Sequence, residues 1–64
     1  MDESTKKVYD IMLENKSIYF NLIAAQDPMD VMTLAHEFEL DVYCKVHLLE
    51  IDFREIFEVI QTRE

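Results

Sequence analysis

"VYCKVHLLEIDF", Val42 to Phe53, decides the fold, because two periods are written over one another in it. Val42, Val46, Leu49 and Phe53, continued by Ile56 and Ile60, are spaced 4, 3, 4, 3, 4. That is a helical seam of heptad type. Val42, Cys44, Val46 and Leu48 also alternate, as do Leu49, Ile51 and Phe53, and alternation with β-branched and aromatic residues is the mark of a strand. The helical reading gives an all-α protein. The strand reading gives an α protein with one strand over Val42–Leu48, which would have to pair with the same strand of a second chain.

The rest of the chain favours helices. It has no glycine and one proline, whereas tight hairpin turns lean on residues that tolerate positive φ. The spacing predicts a first helical segment over about 4–25, with Ser4 as N-cap and an apolar stripe of Val8, Ile11, Met12, Ile18, Leu22 and Ala25. Glu14-Asn15-Lys16-Ser17 interrupts it, and a break there would let Ser17 cap a second piece. "QDPMD", Gln26 to Asp30, starts the next helix: Asp27 is a good N-cap, Pro28 fits the first helical position, and Asp30 adds negative charge at the positive end of the helix dipole. This helix is expected to end near Glu39. Asp52-Phe53-Arg54-Glu55 has capping-box spacing, so a helix can begin afresh at Asp52. The expected architecture is a single domain over 1–64, an all-α bundle of three helices, or four if the first segment breaks.

Size and charge bound the function. A chain of 64 residues hides only about 60% of the surface that its unfolded form exposes. Half of its residues are hydrophobic, and its one cysteine, Cys44, rules out an internal disulfide. A chain this small and apolar is expected to cover itself with a neighbour. The expected contact is a homodimer through Val46, Leu49, Phe53, Ile56 and Ile60. The formal charge is −8, from 14 acidic and 6 basic residues. Such a surface repels nucleic-acid phosphates and anionic membranes and attracts basic protein surfaces. Glu37, Glu39, Asp41 and Glu50 are the candidate acidic partner-binding face. Met12, Met29 and Met32, with Tyr19, Phe20 and Tyr43, are core packing or a pliable adhesive face. No apolar run approaches the roughly 18 residues that span a bilayer. With no signal-peptide pattern and a lone cysteine, a reducing cytoplasm is the expected location.

Leu34 to Glu50, "LAHEFELDVYCKVHLLE", imitates a DNA-reading helix-turn-helix. Its second helix would carry Lys45 and His47 against Asp41 and Glu50. Its first would carry Asp30, Glu37 and Glu39 with no lysine or arginine. Phosphate binding has almost nothing to work with there. Glu39 stands where such motifs usually place glycine. The pattern is therefore read as two packed helices with a tight corner.

"LIAAQDPMDVMTLAHEFELDV", Leu22 to Val42, resembles the Nif11-like family of small helical domains, through Asp27-Pro28, Val31, Leu34-Ala35 and Glu37. The resemblance covers about a third of the chain. Glu39 or Leu40 takes the place of the family's glycine, and the glycine pair and core peptide of its leader members are absent.

Two further constellations carry chemistry. His36 and Glu39, and Cys44 and His47, are each three apart, and together would make a four-ligand zinc set. Structural zinc sites favour paired cysteines, so no metal and no cofactor are expected. Cys44 beside a histidine could act as a nucleophile, but so short a chain has little room for a pocket and oxyanion donors. The expected function is a non-enzymatic protein–protein interaction module: a regulator, adaptor or inhibitor of bacterial or phage type. The alternatives are an acidic decoy that occupies a nucleic-acid groove and a purely structural assembly element.

Overall fold

The computed structural model describes residues 1–63, and among them the protein is all helical, with no strand. Five helices follow one another: α1 (Glu3–Glu14), α2 (Lys16–Ile23), α3 (Pro28–Glu37), α4 (Leu40–Val46) and α5 (Phe53–Thr62). The count exceeds the three or four expected because both ambiguous stretches are broken.

The first break is at Asn15, whose backbone is extended and whose side chain accepts from the Ile18 N–H at 3.3 Å. Asn15 therefore caps α2 in place of Ser17. Asp2 likewise caps α1 in place of Ser4, accepting from the Thr5 N–H at 2.8 Å. The asparagine and the aspartate sit one residue before their helices, where a short side-chain acceptor reaches the free N–H groups of the first turn. Asp27 and Asp52 cap α3 and α5 as the sequence predicts, each at 3.1 Å.

The second break lies between α4 and α5. The strand over Val42–Leu48 does not form. Leu40 and Cys44, four apart, are the buried residues of this stretch, whereas the alternating Val42, Val46 and Leu48 are exposed. The helical period is the one that packs. α4 then closes on a left-handed residue, Leu48, with φ 56°. The Leu48 N–H returns to the Lys45 carbonyl at 3.3 Å and the Leu49 N–H to the Cys44 carbonyl at 2.8 Å. That is the Schellman pattern, which usually has glycine where Leu48 stands. The other left-handed residue, Glu39 with φ 59°, makes the corner between α3 and α4. It falls where the helix-turn-helix pattern calls for glycine.

The break at Leu48 changes the meaning of the heptad seam. Its residues lie on two helices and the link between them. α5 folds back against α3 and also touches α1 and α2. Ile56, at 0% exposure, and Ile60 lie in the core with Val8, Met12, Leu22 and Val31. Both were expected at a dimer interface, yet both are filled by contacts within one protomer. Leu49 and Phe53 are half buried, and Val46 is 71% exposed. A homodimer would have to be built from what is left outside.

Both ends of α5 are tied down. At its start the Asp52 N–H donates to the buried Thr5 Oγ1 at 3.1 Å. At its end the Gln61 side chain donates to the Ala25 carbonyl at 3.3 Å and Arg63 to the Tyr9 hydroxyl at 3.4 Å. The Cα radius of gyration is 10.5 Å, close to the ~10.7 Å of a globular domain of this length. One protomer closes its own core.

Two substitutions test this packing in urea melts. Ile56→Ala should destabilise the protein by about 2–5 kcal/mol, the range for a buried isoleucine. Leu48→Gly should stabilise it by about 1 kcal/mol, because glycine relieves the left-handed strain at an exposed position. A neutral Ile56→Ala or a clearly destabilising Leu48→Gly would contradict the packing described.

Candidate functional site

Closing the core leaves some large apolar side chains outside. On α3, Met29 is 65% exposed and Met32 47%. They are three residues apart and share one face of the helix. On and after α4 the exposed set is Val42, Val46 and Leu48, the last at 89%. Met12, read together with the other methionines as core or adhesive, is core, and Met29, Met32 and Phe20 are surface.

Met29 and Met32 form part of a groove of about 660 Å³. Pro28 continues the α3 side, and Ile51 and Phe53 face it from the α4–α5 link and the start of α5. Asp2, Asp27, Glu50, Asp52 and Arg54 complete the lining. Three of these, Asp2, Asp27 and Asp52, are the N-caps of α1, α3 and α5. Three helix N-termini thus converge on one concavity, each stoppered by a carboxylate. Each cap uses one oxygen, Oδ1, on its own helix. The bond from the Thr5 N–H holds Asp2 below the usual carboxylate range. Beside the groove, the amino group of Met1 pairs with Glu55 at 2.8 Å, and its pKa rises because of that contact.

The candidate acidic face is divided. Glu37, Glu39 and Asp41 are exposed around the α3–α4 corner, whereas Glu50 lies on the groove rim. Asp41 is engaged, its Oδ2 being 2.9 Å from His36 Nδ1 across the corner. That hydrogen bond raises the pKa of His36 and lowers that of Asp41. The zinc constellation is not assembled. His36 faces Asp41, and the His47 ring lies 4.4 Å from that of Tyr43. Cys44 is buried, and burial pushes its thiol up. Among the described residues, no three of His, Cys, Asp and Glu converge where they could hold a metal ion. Nor, among them, is any helix long and apolar enough to cross a membrane.

Of the groove residues, sequence reasoning singled out Met29 and Met32 for core packing or an adhesive face, Asp27, Pro28 and Asp52 as helix starts, Phe53 for the dimer seam and Glu50 for the acidic face. Ile51 and the joint role of the three caps escaped it. The available signal was the recurrence of aspartate immediately before a helix, at Asp2, Asp27 and Asp52.

No family model, curated protein or solved structure matches the chain.

The corner pair is exposed and screened by solvent, so its contribution to stability is small, but the sign of its pH dependence follows from the two shifts. His36, raised above its ordinary 6.5, contributes stability that is full below that value and fades as pH rises through the folded-state pKa. Asp41, lowered from 3.8, contributes stability that is full above that value and fades as pH falls through its own folded pKa. The pair is therefore at full strength between about 3.8 and 6.5. In an NMR titration, Asp41→Asn should bring the His36 pKa back down towards its ordinary value. An unchanged His36 titration in that variant would show that the pair does not form in solution.

Proposed function

We propose that this chain is a non-enzymatic protein–protein interaction module, a regulator, adaptor or inhibitor, and that it receives its partner in the groove between α3 and the start of α5. The observation that carries this reading is the exposure of Met29 and Met32 on the wall of a concavity that also offers Ile51 and Phe53. Covering water-exposed apolar surface is favourable, and apolar side chains gathered in one concavity offer a partner a place to do so. Methionine suits such a site because its unbranched, polarisable side chain adapts to the surface it meets. The surrounding carboxylates give a polar rim about an apolar floor, the usual anatomy of an interface. The buried thiol of Cys44 fits a reducing compartment such as a cytoplasm.

A second reading, the acidic decoy, draws support from the exposed Glu37, Glu39 and Asp41 at the α3–α4 corner. The two readings differ in which surface is used and in the response to salt. Contacts in an apolar groove persist at moderate salt, whereas a wholly ionic contact weakens steeply.

The test is affinity capture with mass spectrometry, comparing the unaltered protein with Met29→Ser/Met32→Ser. Both positions are exposed, so the double variant should melt within about 1 kcal/mol of the parent. A partner retained by the parent at moderate salt and lost by the double variant is the expected result. Equal capture by both proteins would remove the groove from the account.

A further inference from the structure

Resting on that reading of the groove, we infer that its occupant is a basic amphipathic segment of another protein, with apolar side chains on the floor and lysine or arginine on the rim. The inference comes from the carboxylates that line the groove and from the way they are held.

Two electrostatic effects oppose one another there. The N-termini of α1, α3 and α5 each present roughly half a positive charge, which alone would favour an anion. Against them stand Asp2, Asp27, Glu50 and Asp52, with Arg54 as the one cationic side chain in the lining. Setting half a charge for each N-terminus against these side chains leaves the groove at roughly −1.5. The carboxylates win, and the whole chain, at −8, adds to the same sign. A cationic visitor is attracted both at a distance and in contact.

The cap bonds also fix the rim. Asp2, Asp27 and Asp52 each have Oδ1 tied to a backbone N–H of their own helix. These side chains are already ordered, so little further freedom is lost when a lysine or arginine takes the second oxygen. The floor of Met29, Met32, Ile51 and Phe53 selects a segment that also presents apolar side chains. A laid-down amphipathic helix meets both demands, as in helix-in-groove recognition generally. A second copy of this chain is the poorer occupant, because it carries the same net charge of −8 and, groove to groove, would set an equal acidic rim against this one.

The test uses the full chain and two synthetic peptides. One is amphipathic, with apolar residues at helical spacing flanked by lysine and arginine. The other has glutamate in place of each basic residue. Binding is followed by fluorescence anisotropy at low and at moderate salt. The basic peptide should bind at least about tenfold more tightly than its acidic twin, by the steering and contact effects of complementary charge. Asp27→Asn and Asp52→Asn keep the helix caps, since asparagine caps as well as aspartate. Each should weaken the basic peptide by roughly two- to fivefold, the worth of one exposed ion pair, with the melting transition in place. Met29→Ser/Met32→Ser should weaken it further.

Peptides that bind alike, or asparagine variants with undiminished affinity, would overturn the basic occupant. If binding was still lost in the serine double variant, the groove itself would stand. Binding of the basic peptide that ignored the serine double variant would overturn both. So would a homodimer in sedimentation that was abolished by the same pair of substitutions.

Discussion

A single backbone reversal governs this molecule. Leu48 holds a left-handed conformation in a chain without glycine, and there the helix that begins at Leu40 stops. An L-residue pays about 1–2 kcal/mol for that conformation. What offsets it is the return of α5 onto the other helices. Had α4 run on unbroken, Ile56 and Ile60 would stand on the same rod as Val46 and would have to be covered by another chain. With the break, they lie under α3, and the Asp52 amide reaches the Thr5 hydroxyl 47 residues away in sequence.

The groove is a consequence of the same reversal. Turning α5 back brings its N-terminus beside those of α1 and α3, so that Asp2, Asp27 and Asp52 line one concavity. Each aspartate has a local task, which is to satisfy a free N–H of its own helix. Gathered together, they form a fixed acidic rim around Met29, Met32, Ile51 and Phe53. Local helix chemistry thereby becomes a surface property. The apolar surface left over from folding collects in part at this rim, where a partner of opposite charge would be drawn.

Much of the helical content is legible in the residues. Asp27-Pro28 and the Asp52 capping box announce α3 and α5 through mechanisms that act within four residues, and such signals survive any tertiary arrangement. Two N-caps are misplaced by two residues, Asp2 for Ser4 and Asn15 for Ser17, because several capping residues stand side by side and only the folded geometry selects among them. The seam from Val42 to Ile60 misleads for a different reason. Its spacing is genuinely helical, but a left-handed leucine has no sequence signature, so the break at Leu48 leaves the pattern intact on paper. The corner at Glu39 was marked by position, as the place where a helix-turn-helix has glycine. The groove was not legible, since it depends on three helix ends meeting across the whole length of the chain.

The most direct test of this account is native-state hydrogen exchange on the protein diluted until it sediments as a single protomer. If α5 packs within its own chain, the amides of Ile56, Phe57 and Ile60 should be among the slowest to exchange, and remain so on dilution. Amides in α5 that exchange as freely as an unfolded chain in the lone protomer, and gain protection only at concentrations where two copies associate, would contradict it. The seam would then join two molecules after all.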